Sequence, residues 1–191
     1  MELVFASNNE HKVNEIQAMI GSTIRLRSLK DIGCTEEIPE TGRTFEENAG
    51  QKSRFVYEKF GLNCFADDSG LEIDALGGEP GVDSAHYSGS RNFEQNIQLV
   101  LDKLGDSEKR TARFKTVISL IIDAEEFLFE GSVEGKITKS ISGSGGFGYD
   151  PIFQPDGYNI SFAEMSADEK NRISHRAKAI EKLISFLKER Y

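Results

Sequence analysis

Two cysteines in 191 residues, Cys34 and Cys64, are too few and too far apart for a zinc cage or a Cys-x-x-Cys redox pair. A reduced cytoplasm is the expected setting. Basic charge is also in short supply, because 23 Lys and Arg against 32 Asp and Glu leave a formal charge of -9. That balance opposes sequence-blind binding to DNA, RNA or an anionic membrane, and leaves room for one small anionic ligand in a local basic pocket. Long apolar runs are missing. The longest, residues 117–122, is interrupted by Ser119 and is far too short to span a bilayer. The run at residues 3–6 is too short for a signal peptide. No repeat, low-complexity stretch or linker divides the chain, so residues 1–191 are expected to form a single domain, or two closely packed lobes. What is present, 38% hydrophobic and 29% charged residues, suits a globular protein with a real core.

The patterning reads as α/β. Residues 2–6 form an expected strand, followed by a polar stretch and then Val13, Ile16, Met19 and Ile20 at helical spacing. Gly21 ends that helix, and residues 23–29 alternate as a second strand. Thr44-x-x-Glu47 is a capping box for a helix carrying Phe45, Ala49, Lys52, Val56 and Phe60, closed by Gly61. Asn92 caps another helix, over residues 93–104. Residues 114–122 alternate as a long strand, Phe127 and Phe129 continue the pattern after an acidic turn, and residues 133–137 make a third strand. The sheet is therefore expected to be mixed.

Four stretches carry candidate chemistry. In Phe65-Ala66-Asp67-Asp68-Ser69-Gly70-Leu71, two adjacent acids end one strand before another begins. Like charges raise each other's pKa, and a hard divalent cation is the usual compensator; a solvated turn is the plain alternative. Ser7-Asn8-Asn9-Glu10-His11-Lys12 lies where a strand gives way to a helix, a place that suits a phosphate, although Ser and Asn are also ordinary caps. It lacks the glycines and the Lys-Ser/Thr pair of a Walker loop. The glycine-dense loop around Gly145-Gly146-Phe147-Gly148-Tyr149-Asp150 lets backbone approach a flat ligand, with Phe147 and Tyr149 as stacking faces. Finally, Ser166-x-x-Glu169 caps a C-terminal helix bearing Lys170, His175 and Arg176. On one straight helix Lys170 and His175 would lie about 140° apart. The apolar stripe Ala177, Ile180, Ile184, Leu187 instead predicts a break at residues 173–174, with His175 and Arg176 in a new first turn.

Taken together, these residues resemble the inosine triphosphate pyrophosphatase family. The matching segments are residues 6–12, 39–49, 66–71, 76–81, 145–153 and 169–177, in the family's order. The resemblance implies a long mixed β-sheet flanked by helices, with two lobes and a central cleft. It also implies hydrolysis of dITP, ITP and XTP to the monophosphate and pyrophosphate with Mg²⁺, in a cytoplasmic homodimer. Asp68 corresponds to the general base and a metal-site acid, Glu40 to a second metal-site acid, and Asp67 is a weaker third. Ser69 corresponds to a substrate contact and Ser7 to Lys12 to the phosphate segment. Phe147, Gly148, Tyr149, Asp150, Lys170, His175 and Arg176 correspond to nucleoside-binding positions. Asp83 and His86 depart from the family's usual aromatic and arginine.

Overall fold

In the computed structural model, residues 1–190 are described, apart from the His11 side chain. Among them are six strands and five α-helices: β1 (Glu2–Phe5), α1 (Glu10–Ile20), β2 (Arg25–Arg27), α2 (Phe45–Phe60), β3 (Cys64–Ile73), α3 (Phe93–Leu104), β4 (Thr111–Ile122), β5 (Glu125–Ile137), β6 (Phe153–Pro155), α4 (Ala167–Ile173) and α5 (His175–Arg190). They build one sheet in the order β2-β1-β3-β4-β5-β6. β1 runs parallel to β2 and to β3, whereas β5 and β6 are antiparallel, so the sheet is mixed as expected. No helix among the described residues is long and apolar enough to cross a membrane.

The helix boundaries follow local chemistry. Asn9, Thr44, Asn92 and Ser166 each accept a backbone N–H from the first turn of the helix they precede. Ser166 and Glu169 complete a reciprocal capping box. At α2 the box is shifted, because the Glu47 carboxylate takes the N–H of Arg43 at 2.6 Å rather than that of Thr44. Gly61 adopts the left-handed conformation that closes α2.

Two strand expectations need correction. Asp67-Asp68-Ser69-Gly70 is neither a strand end nor a turn: it lies inside β3, which runs unbroken for 10 residues. Its acids find partners on helices distant in sequence, and those tertiary contacts outweigh turn propensity. Residues 133–137 likewise belong to β5 and form no separate strand. The link between β4 and β5 is Asp123-Ala124, both at positive φ, as in a two-residue hairpin turn.

The chain divides into two compact units, one built of Met1–Asp68, Thr116–Glu130 and the C-terminal residues from Ala177, the other of Ser69–Lys115 and Gly131–Arg176. In the first unit, strand alternation sorts the core into two layers. Leu3 and Phe5 of β1, Phe65 of β3 and Ile118, Leu120 and Ile122 of β4 pack with α1 and α5. The intervening residues Val4, Cys64, Ala66 and Ile121 pack with Val56 of α2. On that second side, Ser53 and Ser119 share a hydrogen bond at 2.7 Å, and Ser119 donates to Glu126, which also accepts from Arg54. The second unit has its own core, in which Leu71, Ile73, Phe114, Tyr149, Phe153 and Phe162 are buried together.

Candidate active site

Alternation along β3 sends its two acids to opposite faces. Asp67 shares the face of Phe65 and meets α1, where Lys12 Nζ lies 3.1 Å from both carboxylate oxygens. Asp68 shares the face of Ala66 and meets α2, where Asn48 Nδ2 donates to Oδ2 at 3.0 Å. Both acids are buried, at 3% and 8% exposure. Lys52, one helical turn beyond Asn48, is also buried and lies 3.2 Å from Glu40. Burial pushes the Asp68 carboxyl up to about 6; Lys52 and Asn48 pull it down, and Glu40 and Asp67 push it further up.

Asp68, Glu40 and the weaker candidate Asp67 do not form a three-acid cage. Among the described residues, no three of His, Cys, Asp and Glu converge as metal ligands, and Asp67 is engaged by Lys12 on the other face. Sequence reading missed Asn48 and Lys52 as site residues. One signal was present: Lys52 occupies a position on the otherwise apolar stripe of its helix, where a lysine needs an acid to meet.

The segment 7–12 is shaped by its own side chains. Ser7 Oγ accepts from the N–H of Asn9, Asn9 Oδ1 caps the N–H of Lys12, and Asn8 Oδ1 accepts from the N–H of Lys30 at 2.9 Å. Glu10 opens α1, and the His11 side chain lies outside the described residues. The capping expectation therefore holds for Asn9, whereas Ser7 makes a local turn bond to the cap residue itself, and Lys12 turns to Asp67.

In the second unit, Asp150 is the centre of the glycine loop. It is 2% exposed, accepts from Phe147 N–H at 2.7 Å and pairs with Lys170 Nζ at 2.5 Å. Phe147 stands 64% exposed, with its ring edge-on to Phe93 at 4.6 Å. Tyr149 does not present an open stacking face, because its ring is buried and its hydroxyl donates to the carbonyl of Ser84. Burial also raises its pKa. Gly148, at positive φ, separates these two aromatics so that one faces out and the other in. Ser69 stands on β3, two residues before Leu71. The helix breaks at Ser174, whose backbone is extended, and α5 starts at His175 as the stripe predicted. His175 is buried and stacks on Phe114 at 5.0 Å, so it is no surface histidine. Arg176 follows it in the first turn of α5.

Gly146 has φ +81°, and a Cβ there would overlap the Asp150 carboxylate. Gly146→Ala is therefore expected to cost about 1–3 kcal/mol and to displace Phe147. A thermal melt with no measurable shift would contradict this.

The fold and site are thus an α/β sheet with two acids at mid-strand, one held by a lysine and the other by an asparagine near a buried lysine. The chain belongs to the Ham1 family, which its residues 3–186 match. It is 52% identical to the dITP/XTP pyrophosphatase of Flavobacterium psychrophilum over 98% of this chain and 100% of that one. It is 48% identical to the protein of the same name from Porphyromonas gingivalis, over 97% of each chain. The Ham1 protein of Staphylococcus aureus superposes with a TM-score of 0.95 at 40% identity, over 100% of both chains. The nucleoside-triphosphatase / dITP/XTP pyrophosphatase of Mycobacterium abscessus gives 0.83 at 42% identity, over 96% and 98%. The family resemblance read from the sequence is thereby borne out.

Proposed function

We propose that this chain hydrolyses dITP, ITP and XTP to the nucleoside monophosphate and pyrophosphate. The observation that carries this reading is Asp68, a buried acid held by a hydrogen bond from Asn48 and under the charge of buried Lys52. In this reading Asp68 orients and deprotonates the water that attacks the α-phosphorus. Lys52 and Lys12 offset charge on phosphate oxygens. Lys12 is only partly buried, so it can move from Asp67 to a ligand.

The donor set suits Mg²⁺. Asp68 and Glu40 supply hard oxygens near each other, and Mg²⁺ binds through one or two carboxylates plus substrate phosphates rather than in an all-protein cage. Bound there, it would act as a Lewis acid on the phosphate oxygens.

By family resemblance, the segment Ser7 to Lys12 and Ser69 handle the phosphates and sugar, and Phe147, Asp150, Lys170, His175 and Arg176 handle the nucleoside. Arg176 carries only donors and suits the O6 acceptor of hypoxanthine and xanthine; adenine presents an amino group there instead. A mismatch of that kind costs about 1–3 kcal/mol. A cytoplasmic homodimer spanning the chain as one functional domain completes the proposal.

The test is a panel of ITP, XTP, dUTP, GTP and ATP assayed for pyrophosphate in Mg²⁺. Release chiefly from ITP and XTP is expected. Preference for dUTP would favour a pyrimidine enzyme, and tight binding without pyrophosphate would favour a nucleotide sensor. Arg176→Ala is expected to lower kcat/KM for ITP by about 10-fold or more, from the loss of a charged hydrogen bond. Unchanged ITP kinetics would place Arg176 outside the base pocket.

A further inference from the structure

We propose that Asn48 is a positioning residue that orients the Asp68 carboxylate and ties it to the loop carrying Glu40. The inference rests on the reading of Asp68 as the general base, and adds to it a residue that makes no substrate contact.

Asn48 is 3% exposed, so both ends of its amide must find partners inside the protein. Its Oδ1 accepts the N–H of Gly42 at 2.8 Å, and its Nδ2 donates to Asp68 Oδ2 at 3.0 Å. Turning the amide over would set donor against donor at Gly42 and acceptor against carboxylate at Asp68, so one orientation is fixed. Asn48 thus holds one oxygen of Asp68 by a hydrogen bond.

Its neighbours on α2 do the same for the adjoining backbone. Glu47 accepts the N–H of Arg43 at 2.6 Å, and Gln51 accepts that of Thr41 at 2.9 Å. Three consecutive loop N–H groups are therefore taken by three side chains of one helix. The loop sits so close that a Cβ on Gly42 would lie 2.6 Å from Glu47 Cβ and 2.8 Å from Asn48 Oδ1. Glu40 is the residue just upstream of this clamp, and it pairs with Lys52 of the same helix at 3.2 Å. Asn48 is the member of the clamp that also reaches Asp68.

Two substitutions separate its two bonds. Asn48→Asp keeps an acceptor for Gly42 but sets a second carboxyl against Asp68 in place of the amide donor, where like charges raise each other's pKa, and Asn48→Ala removes both bonds. With ITP, Asn48→Asp is expected to lower kcat roughly 10- to 100-fold while KM changes less than about threefold. In metal-free protein, amide exchange at Gly42 should stay slow in Asn48→Asp and accelerate in Asn48→Ala. The wild-type Asn48 side-chain NH₂ resonances should exchange slowly and shift in Asp68→Asn. The proposal is overturned if Asn48→Asp retains kcat within about twofold, or if its loss of kcat comes with loss of Gly42 protection or of the cooperative melt. A wild-type protein that released no pyrophosphate from ITP would sink the assigned reaction instead, and would leave the exchange results standing as a structural finding.

Discussion

Asp68→Asn is expected to remove most hydrolysis and, at pH 8, to make the protein more stable. The loss of turnover is put at about 10²–10⁴-fold, the usual value of a positioned base. The stability gain follows from linkage. The folded protein holds the Asp68 proton more tightly than the unfolded chain does, because burial pushes the carboxyl from 3.8 up to about 6. Ionising it therefore weakens the fold as pH rises between those two values, and the penalty stays constant above the upper one. At 1.36 kcal/mol for each pH unit, it amounts to roughly 3 kcal/mol. An asparagine never ionises, and its carbonyl can still accept from Asn48. In EDTA, the melting temperature of the variant should exceed that of the wild type by several degrees at pH 8, about 2–4 °C for each kcal/mol in a chain of this size. The difference should vanish near pH 4. An equal difference at both pH values would show that Asp68 is not a strained base, and near wild-type turnover would remove it from the chemistry.

Asp150→Ala is the second large effect. The carboxylate is almost fully buried, accepts the Phe147 N–H and meets the Lys170 ammonium. Cutting it away strands a partly buried cation and a backbone donor together. Breaking a buried pair from one side costs about 3–5 kcal/mol, and Lys170, about a quarter exposed, places this case near the lower end. Phe147 loses its anchor, so KM for ITP should rise at least about 10-fold, beyond the fall in kcat. Asp150→Asn keeps an acceptor for Phe147 and should fall between wild type and alanine in both measurements. If alanine and asparagine behaved alike, the ion pair rather than the backbone bond would be the whole effect. If neither moved KM, the loop would have no hand in binding.

The features legible in the sequence were those decided within a few residues. Asn9, Thr44, Asn92 and Ser166 announce their helices because a cap needs only the next turn. The break before His175 is legible because the stripe Ala177, Ile180, Leu187 does not continue the pattern of residues 167–173. The continuity of β3 was hidden, since Asp-Asp-Ser-Gly is turn chemistry unless helices elsewhere supply Lys12 and Asn48. Tyr149 was misjudged as a stacking face for a related reason: nothing local shows that Ser84 offers it a carbonyl in the core. The site acids were visible as residues, but their separate partners were not. Helical spacing locates a face without naming what lies across from it.

The alternation that gives Asp67 to α1 and Asp68 to α2 makes the site sensitive to counting. Deleting one residue of β3 ahead of the pair would move each acid to the opposite side of the sheet. Lys12 would then meet Asp68, and Asn48 would face Ser69 in place of a carboxylate. Removing two would restore the sides and displace the pair only along the strand, by about 7 Å. Length changes here are therefore not graded by size: an odd step puts the wrong residue before each partner, and an even one keeps each acid on its own side but carries it along the strand away from that partner.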